Sequence, residues 1–259
     1  MKLSHAILLC LLANWPSLLW LFHRFQESDG HCLFALLILV FFCLREKTAN
    51  LRLNQQSLKL SLALNLLSLI ALFYGLPAIA ISFILIINLN LFISCIFKQT
   101  WHWPSLALLA LTLPIMASVQ FFLGYPLRLF ATQASALILK IGGIHVSAHG
   151  TVLEWQGRQT IVDAPCSGIN ILWAGLLLIS IISIHEKLAS KEFFRFFSLG
   201  FLIIIAANII RNTALFYLEN TPLELPHFAH NALGLFIFAL FAFSLIYLQK
   251  RMSHAKNLS

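Results

Sequence analysis

Charge is scarce in this chain. Asp, Glu, Lys and Arg together make 10% of its 259 residues, whereas 60% are hydrophobic and the mean hydropathy is +0.88. A soluble domain needs more charge than this to cover its surface, so that class is excluded. Alternation of apolar and polar residues is also missing: the apolar runs are long and continuous, which argues against a transmembrane β-barrel. There is no CxxC pair. Cys10, Cys32, Cys43, Cys95 and Cys166 are scattered, which fits neither a disulfide framework nor a zinc site. No convincing repeat, low-complexity tract or separate domain is visible, so 1–259 reads as a single integral-membrane domain. The first apolar run follows Lys2 without a convincing small-x-small cleavage pattern, and more runs come after it. It reads as a first span, not a removed leader.

What is present is a series of apolar runs of spanning length, at about 5–22, 31–44, 58–74, 76–97, 104–123, 166–184, 196–218 and 229–248. A chain in lipid must satisfy its backbone hydrogen bonds internally. The expectation is therefore an all-α polytopic membrane protein with about eight transmembrane helices. The net charge of +8 could suit nucleic acid. The basic residues, however, lie in short loops between apolar runs and follow the positive-inside rule instead, so the expected partner is the bilayer and not nucleic acid. With the N-terminus inside, the inner segments hold Lys2, Arg45, Lys47, Arg52, Lys59, Lys98, Lys187, Lys191, Arg195, Lys250, Arg251 and Lys256. The outer segments hold Arg24, Arg128, Lys140 and Arg158, and Arg211 lies within a span. This asymmetry predicts a multi-pass protein of the inner (plasma) membrane with both termini cytoplasmic.

The long outer segment, 124–165, is the sizeable piece outside the spans. Leu127, Phe130, Ala134, Leu137, Ile138 and Ile141 follow helical spacing and predict a helix lying in the interface. Gly142 and Gly143 should end it. Two β-prone pieces, 151–155 and 159–163, joined by Gln156, Gly157 and Arg158, predict a small hairpin that delivers the chain to Cys166.

Three polar anchors fall in one depth region under this topology. Cys166 follows Pro165 and opens a span from the outer side, where a helix's positive end favours a negative sulfur. Ser167 and Gly168 beside it leave room for a substrate backbone. The plain alternative is a small apolar residue, the reading given to Cys10, Cys43 and Cys95; Cys32 also lies near the outer side but lacks this local framework. Arg211 lies eight residues before Glu219, about 12 Å along a helix axis. It is costly in hydrocarbon and calls for a polar cavity or partner. It is suited to holding a thiolate, a developing oxyanion or a carboxylate; the alternative is snorkelling to the interface. Asn208, one turn earlier, is placed to orient it. His230 opens the last span and suits proton transfer near neutral pH, with His227 as a competitor. His145 and His149 lie on the β-prone segment, and no close ligand cluster supports a metal site.

The stretch Val162-Asp163-Ala164-Pro165-Cys166-Ser167-Gly168-Ile169, followed by Asn208-x-x-Arg211 and then His230-x-x-x-Gly234, resembles the exosortase/archaeosortase family over roughly residues 125–245. The resemblance implies a multispanning cysteine transpeptidase with Cys166 as nucleophile and Arg211 and His230 as its partners. It implies substrates that are exported proteins with a C-terminal tail of short motif, transmembrane helix and basic cluster, of which PEP-CTERM proteins are the usual exosortase examples. An acceptor at the cell surface, or water, would take the trimmed protein. The family chemistry requires no metal or organic cofactor. One departure leaves the recognition motif open: Asn170 stands where many exosortases have arginine after Cys-Ser-Gly-Ile. Two other readings of the same residues are a transporter that uses Arg211 as its binding charge, and an envelope or exopolysaccharide assembly protein without peptidase activity.

Overall fold

The computed structural model describes residues 2–27, 29–46, 51, 53–220 and 228–257, without the side chains of Pro165, 228–231 and 255–257. Helices dominate it. The chain divides into two compact units, one of residues 1–114 and 180–193, the other of 115–179 and 194–259.

The first unit begins with α1, Leu3–Ala13, and α2, Trp15–Glu27. The sequence pattern there reads as one span, but the two helices meet at 75°. Pro16 explains the break: it has no N–H for the carbonyl of Leu12, and its ring crowds that turn. Asn14 fills the corner, its amide donating to the Cys10 carbonyl at 2.9 Å and to Asn65 Oδ1 at 3.2 Å. There follow α3, Gly30–Arg45, α4, Gln55–Phe73, α5, Ala78–Ile96, and α6, Trp103–Ala110. Asn88 of α5 donates to Asn65 Oδ1 at 2.9 Å, so a buried asparagine chain ties α1, α4 and α5. Ser105 of α6 donates to Asn90 of α5 at 2.6 Å. In hydrocarbon, interhelical bonds of this kind replace the hydrophobic drive that lipid removes.

The second unit opens with α7, Met116–Ile141, which runs unbroken through Pro126. This departs from the expected span at 104–123 followed by a separate interfacial helix. The break falls near Pro114 instead, and Pro126 lies inside the helix, a position apolar helices tolerate. Beyond Gly142 and Gly143 the chain forms β1, Ser147–His149, β2, Val152–Trp155, and β3, Arg158–Ile161, an antiparallel sheet in the order β1-β2-β3. Gln156 and Gly157 both take positive φ, +52° and +77°, the requirement of a two-residue type I′ turn. Leu153 and Val162 bury the sheet's inner face against Ala136 and Leu139 of α7 and Phe216.

A 3-10 turn, Ala164–Ser167, leads into α8, Ile169–His185. Then come α9, Ser190–Asn220, and α10, Phe228–Asn257. Glycines let these three helices approach. A β-carbon on Gly175 would stand 2.6 Å from Ile204 and 3.0 Å from Phe241, and one on Gly200 would stand 2.6 Å from Ile179 and 3.2 Å from Leu245. Small residues at such crossings are the usual currency of helix packing in membranes.

Among the described residues five helices (α4, α5, α7, α9 and α10) are long and apolar enough to cross a bilayer, and the bent α1–α2 pair makes six; α3 and α8 are shorter apolar helices. Of the eight segments of spanning length in the sequence, two are interrupted near Pro16 and Pro114, and two form the shorter α3 and α8 of 16 and 17 residues.

Candidate functional site

Cys166 sits in the 3-10 turn that joins the sheet to α8. Its N–H donates to the Asp163 carbonyl at 2.9 Å, closing the turn. The side chain is half-buried against the cluster formed by α7, the sheet and Phe216. Gly168 then takes φ +88°, and a β-carbon there would stand 2.5 Å from Asn208 Nδ2. Position 168 thus requires glycine twice, for its left-handed backbone and for the space Asn208 occupies.

The Cys166 carbonyl is held from α9. Asn212 Nδ2 donates to it at 3.0 Å and Asn208 Nδ2 approaches it at 3.5 Å. The two asparagines are four residues apart and share one face of the helix. On the other side, Ser167 Oγ donates to Gln120 Oε1 of α7 at 3.1 Å, and Gln120 Nε2 reaches the Ala164 carbonyl at 3.5 Å. The turn carrying the thiol is therefore clamped by side-chain amides from two helices. Asn170 is exposed on the first turn of α8.

A groove of about 420 Å³ opens beside the thiol. Its walls are β3 and residues 162–163 on one side, and Asn212, Leu215, Phe216 and Glu219 of α9 on the other, with Cys166 among the lining residues. The far end of the groove is fixed by two contacts to the last residue of α9. Asn220 Nδ2 donates to Thr160 Oγ1 at 2.9 Å, and Arg158 donates to the Asn220 carbonyl at 3.5 Å.

Arg211 stands one turn beyond Asn208 on α9, and its side chain reaches α10. Its Nε would be 3.3 Å from a β-carbon on Gly234 of α10, so the guanidinium rests on bare helix backbone. Among the described residues it makes no hydrogen bond or ion pair, including to Cys166. Residue 230 precedes Gly234 by one helical turn and shares its face of α10; its side chain lies outside the described residues, and all of His227 does. Cys166, Ser167, Gly168 and Asn208 are thus brought together, and Arg211 is directed toward α10 instead. Sequence reasoning missed Asn212 and Gln120. The Asn208-x-x-x-Asn212 spacing was a usable signal for the first, because two amides at i and i+4 in an apolar helix share one face. Gln120 carried no such signal.

Long apolar helices and a small sheet that presents a clamped, half-buried cysteine define an integral membrane protein of mainly helical fold. The family model described as transmembrane exosortase matches residues 20–247, and the chain belongs to the exosortase family. Comparisons with curated proteins and with solved structures return no match.

Proposed function

We propose that this protein is a membrane-embedded cysteine transpeptidase that cleaves the C-terminal sorting tails of exported proteins. The observation that carries the reading is the Cys166 turn: a thiol at the entrance of α8, held by amides from α7 and α9 and lining an open groove. Family membership supports it at the level of class.

The chemistry assigned to the residues is covalent. The Cys166 sulfur, as thiolate, attacks the carbonyl carbon of the scissile peptide, and the carbonyl oxygen becomes an oxyanion. Arg211 donates to that oxygen, a role for which its planar fork of N–H groups is suited. The C–N bond then breaks, the leaving amine takes a proton from the His230 imidazolium, and a thioester remains on Cys166. An acceptor amine at the surface, or water, gives its proton back to His230, attacks the thioester and releases the thiolate. Asn208, Ser167 and Gly168 support the turn, and Asn170 faces the substrate side.

On this reading the chain crosses the inner (plasma) membrane eight times. The α1–α2 pair, α3, α4, α5, the run 104–123, α8, α9 and α10 count as the spans, both termini are cytoplasmic and Cys166 is extracytoplasmic, beside Gln120 near the outer end of the fifth span. The basic-residue asymmetry supports that orientation. The test is substrate conversion by Cys166→Ala in membranes, followed by mobility shift. Conversion is expected to vanish with insertion intact, while Cys10→Ala, Cys43→Ala and Cys95→Ala keep most activity. Wild-type conversion by well-expressed Cys166→Ala would rule out the covalent mechanism.

A further inference from the structure

Among the described residues the outer edge of β3 carries backbone groups that no partner uses. Val162 N–H donates to the Thr151 carbonyl at 2.8 Å, and the register pairs Leu153 with Thr160 and Trp155 with Arg158. In an antiparallel ladder hydrogen-bonded pairs alternate. Residues 158, 160 and 162 therefore turn their N–H and C=O toward β2, whereas Gln159 and Ile161 turn theirs away. Among the described residues nothing bonds to this outer edge. A protein usually covers, charges or shortens such an edge. Here it forms a wall of the groove that Cys166 also lines, and Ile161 beside it is 60% exposed.

We infer that the substrate's sorting segment binds as an added strand on the β3 edge, with its backbone paired to Gln159 and Ile161 and its scissile carbonyl carried on to Cys166. The occupant is specified by the groove's own chemistry. Two donor–acceptor positions spaced two residues apart match extended peptide backbone and match neither a helix nor a lipid chain. The apolar wall of Leu215 and Phe216 takes a side chain from one face of the added strand. The carboxylates of Asp163 and Glu219 line the same groove and favour a segment that is neutral or basic where it passes them. Strand addition also answers a problem of positioning. Main-chain bonds fix the register of a peptide residue by residue, so one pairing sets which amide reaches the thiol. This inference rests on the proposed peptidase reading and deepens it.

The test uses proline at the outward positions. Gln159→Pro and Ile161→Pro each delete an edge N–H that β2 does not use, a place where a strand tolerates proline. Gln159→Ala and Ile161→Val change the side chain and keep the donor. Substrate conversion is measured in membranes with the full chain, alongside alkylation of Cys166 in a background lacking the other thiols. The proline variants are expected to alkylate at the wild-type rate and lose about tenfold or more in conversion relative to the donor-keeping variant at the same position. Proline variants that convert substrate normally would overturn strand addition, and leave the cysteine reading standing if Cys166→Ala is inactive. Should proline disturb the turn at Cys166 and slow its alkylation, the unaltered enzyme gives the answer. Substrates with single backbone ester replacements near the cleavage site are then expected to lose conversion at alternate positions. Uniform tolerance to the esters would refute the inference.

Discussion

Arg211 is the residue whose environment most needs an explanation. It is partly buried within an apolar helix, packs on the backbone of Gly234 and has no hydrogen-bond or ion-pair partner among the described residues. A guanidinium so placed is expensive unless it serves a ligand or reaches water. The two explanations separate on Arg211→Lys. Lysine snorkels as well as arginine, but a point-like ammonium does not reproduce a planar fork. If Arg211 stabilises the oxyanion, the lysine variant is expected to lose about 10²–10³ in turnover, read as initial cleavage rate per folded protein. Near-wild-type turnover would leave only a generic positive charge. At this scale the sequence was informative where chemistry is rare. One cysteine after proline and one arginine inside a span stand out against an apolar background, whereas Gln120 does not. A glutamine at one end of an apolar helix has no distinguishing pattern until the Cys166 turn is folded against it.

Elements broke where prolines demanded it and held where they did not. Pro16 cuts the first run, yet Pro126 sits inside α7. Sequence alone weighs the two alike, since each proline deletes one N–H and crowds one turn. The connection from α5 to α6 shows a further element that pattern reading passed over. His102 caps α6 by accepting the Ser105 N–H at Nδ1, at 3.2 Å, and its ring stacks on Phe97 with centroids 4.3 Å apart. Burial pushes its pKa down to about 4. The cap needs an unprotonated Nδ1, so its contribution is complete above the ordinary histidine value near 6.5. As pH falls from there toward 4, the unfolded chain takes up a proton that the folded one refuses, and stability is lost. His102→Asn keeps a capping acceptor and removes the titration. The apparent Tm of the wild type is expected to fall more between pH 7 and pH 5 than that of the asparagine variant. Parallel curves would show that His102 does not set this dependence.

For the whole molecule, the sequence conveyed the class and the order of parts: apolar spans, a β-prone segment before Cys166, and the later Arg211 and His230. It did not convey the count of continuous helices, since hydropathy sums over a run and does not register a 75° bend within it. Nor did it convey the division into two compact units, which depends on contacts between distant segments. The distribution of basic residues predicts the orientation. In a chain lacking the native thiols, His149→Cys is expected to react with an impermeant reagent added from outside, and Lys191→Cys is not. Labelling of Lys191→Cys from outside would invert the topology and separate Cys166 from exported substrates. The central claim is the thioester on Cys166, and the most direct measurement is cleavage in the presence of hydroxylamine, with the product's new C-terminus read by mass spectrometry. The account predicts a C-terminal hydroxamate, formed because the nucleophile intercepts an acyl-enzyme, together with protection of Cys166 from alkylation during turnover. A product bearing only a free carboxylate, with Cys166 open to alkylation throughout, would contradict it.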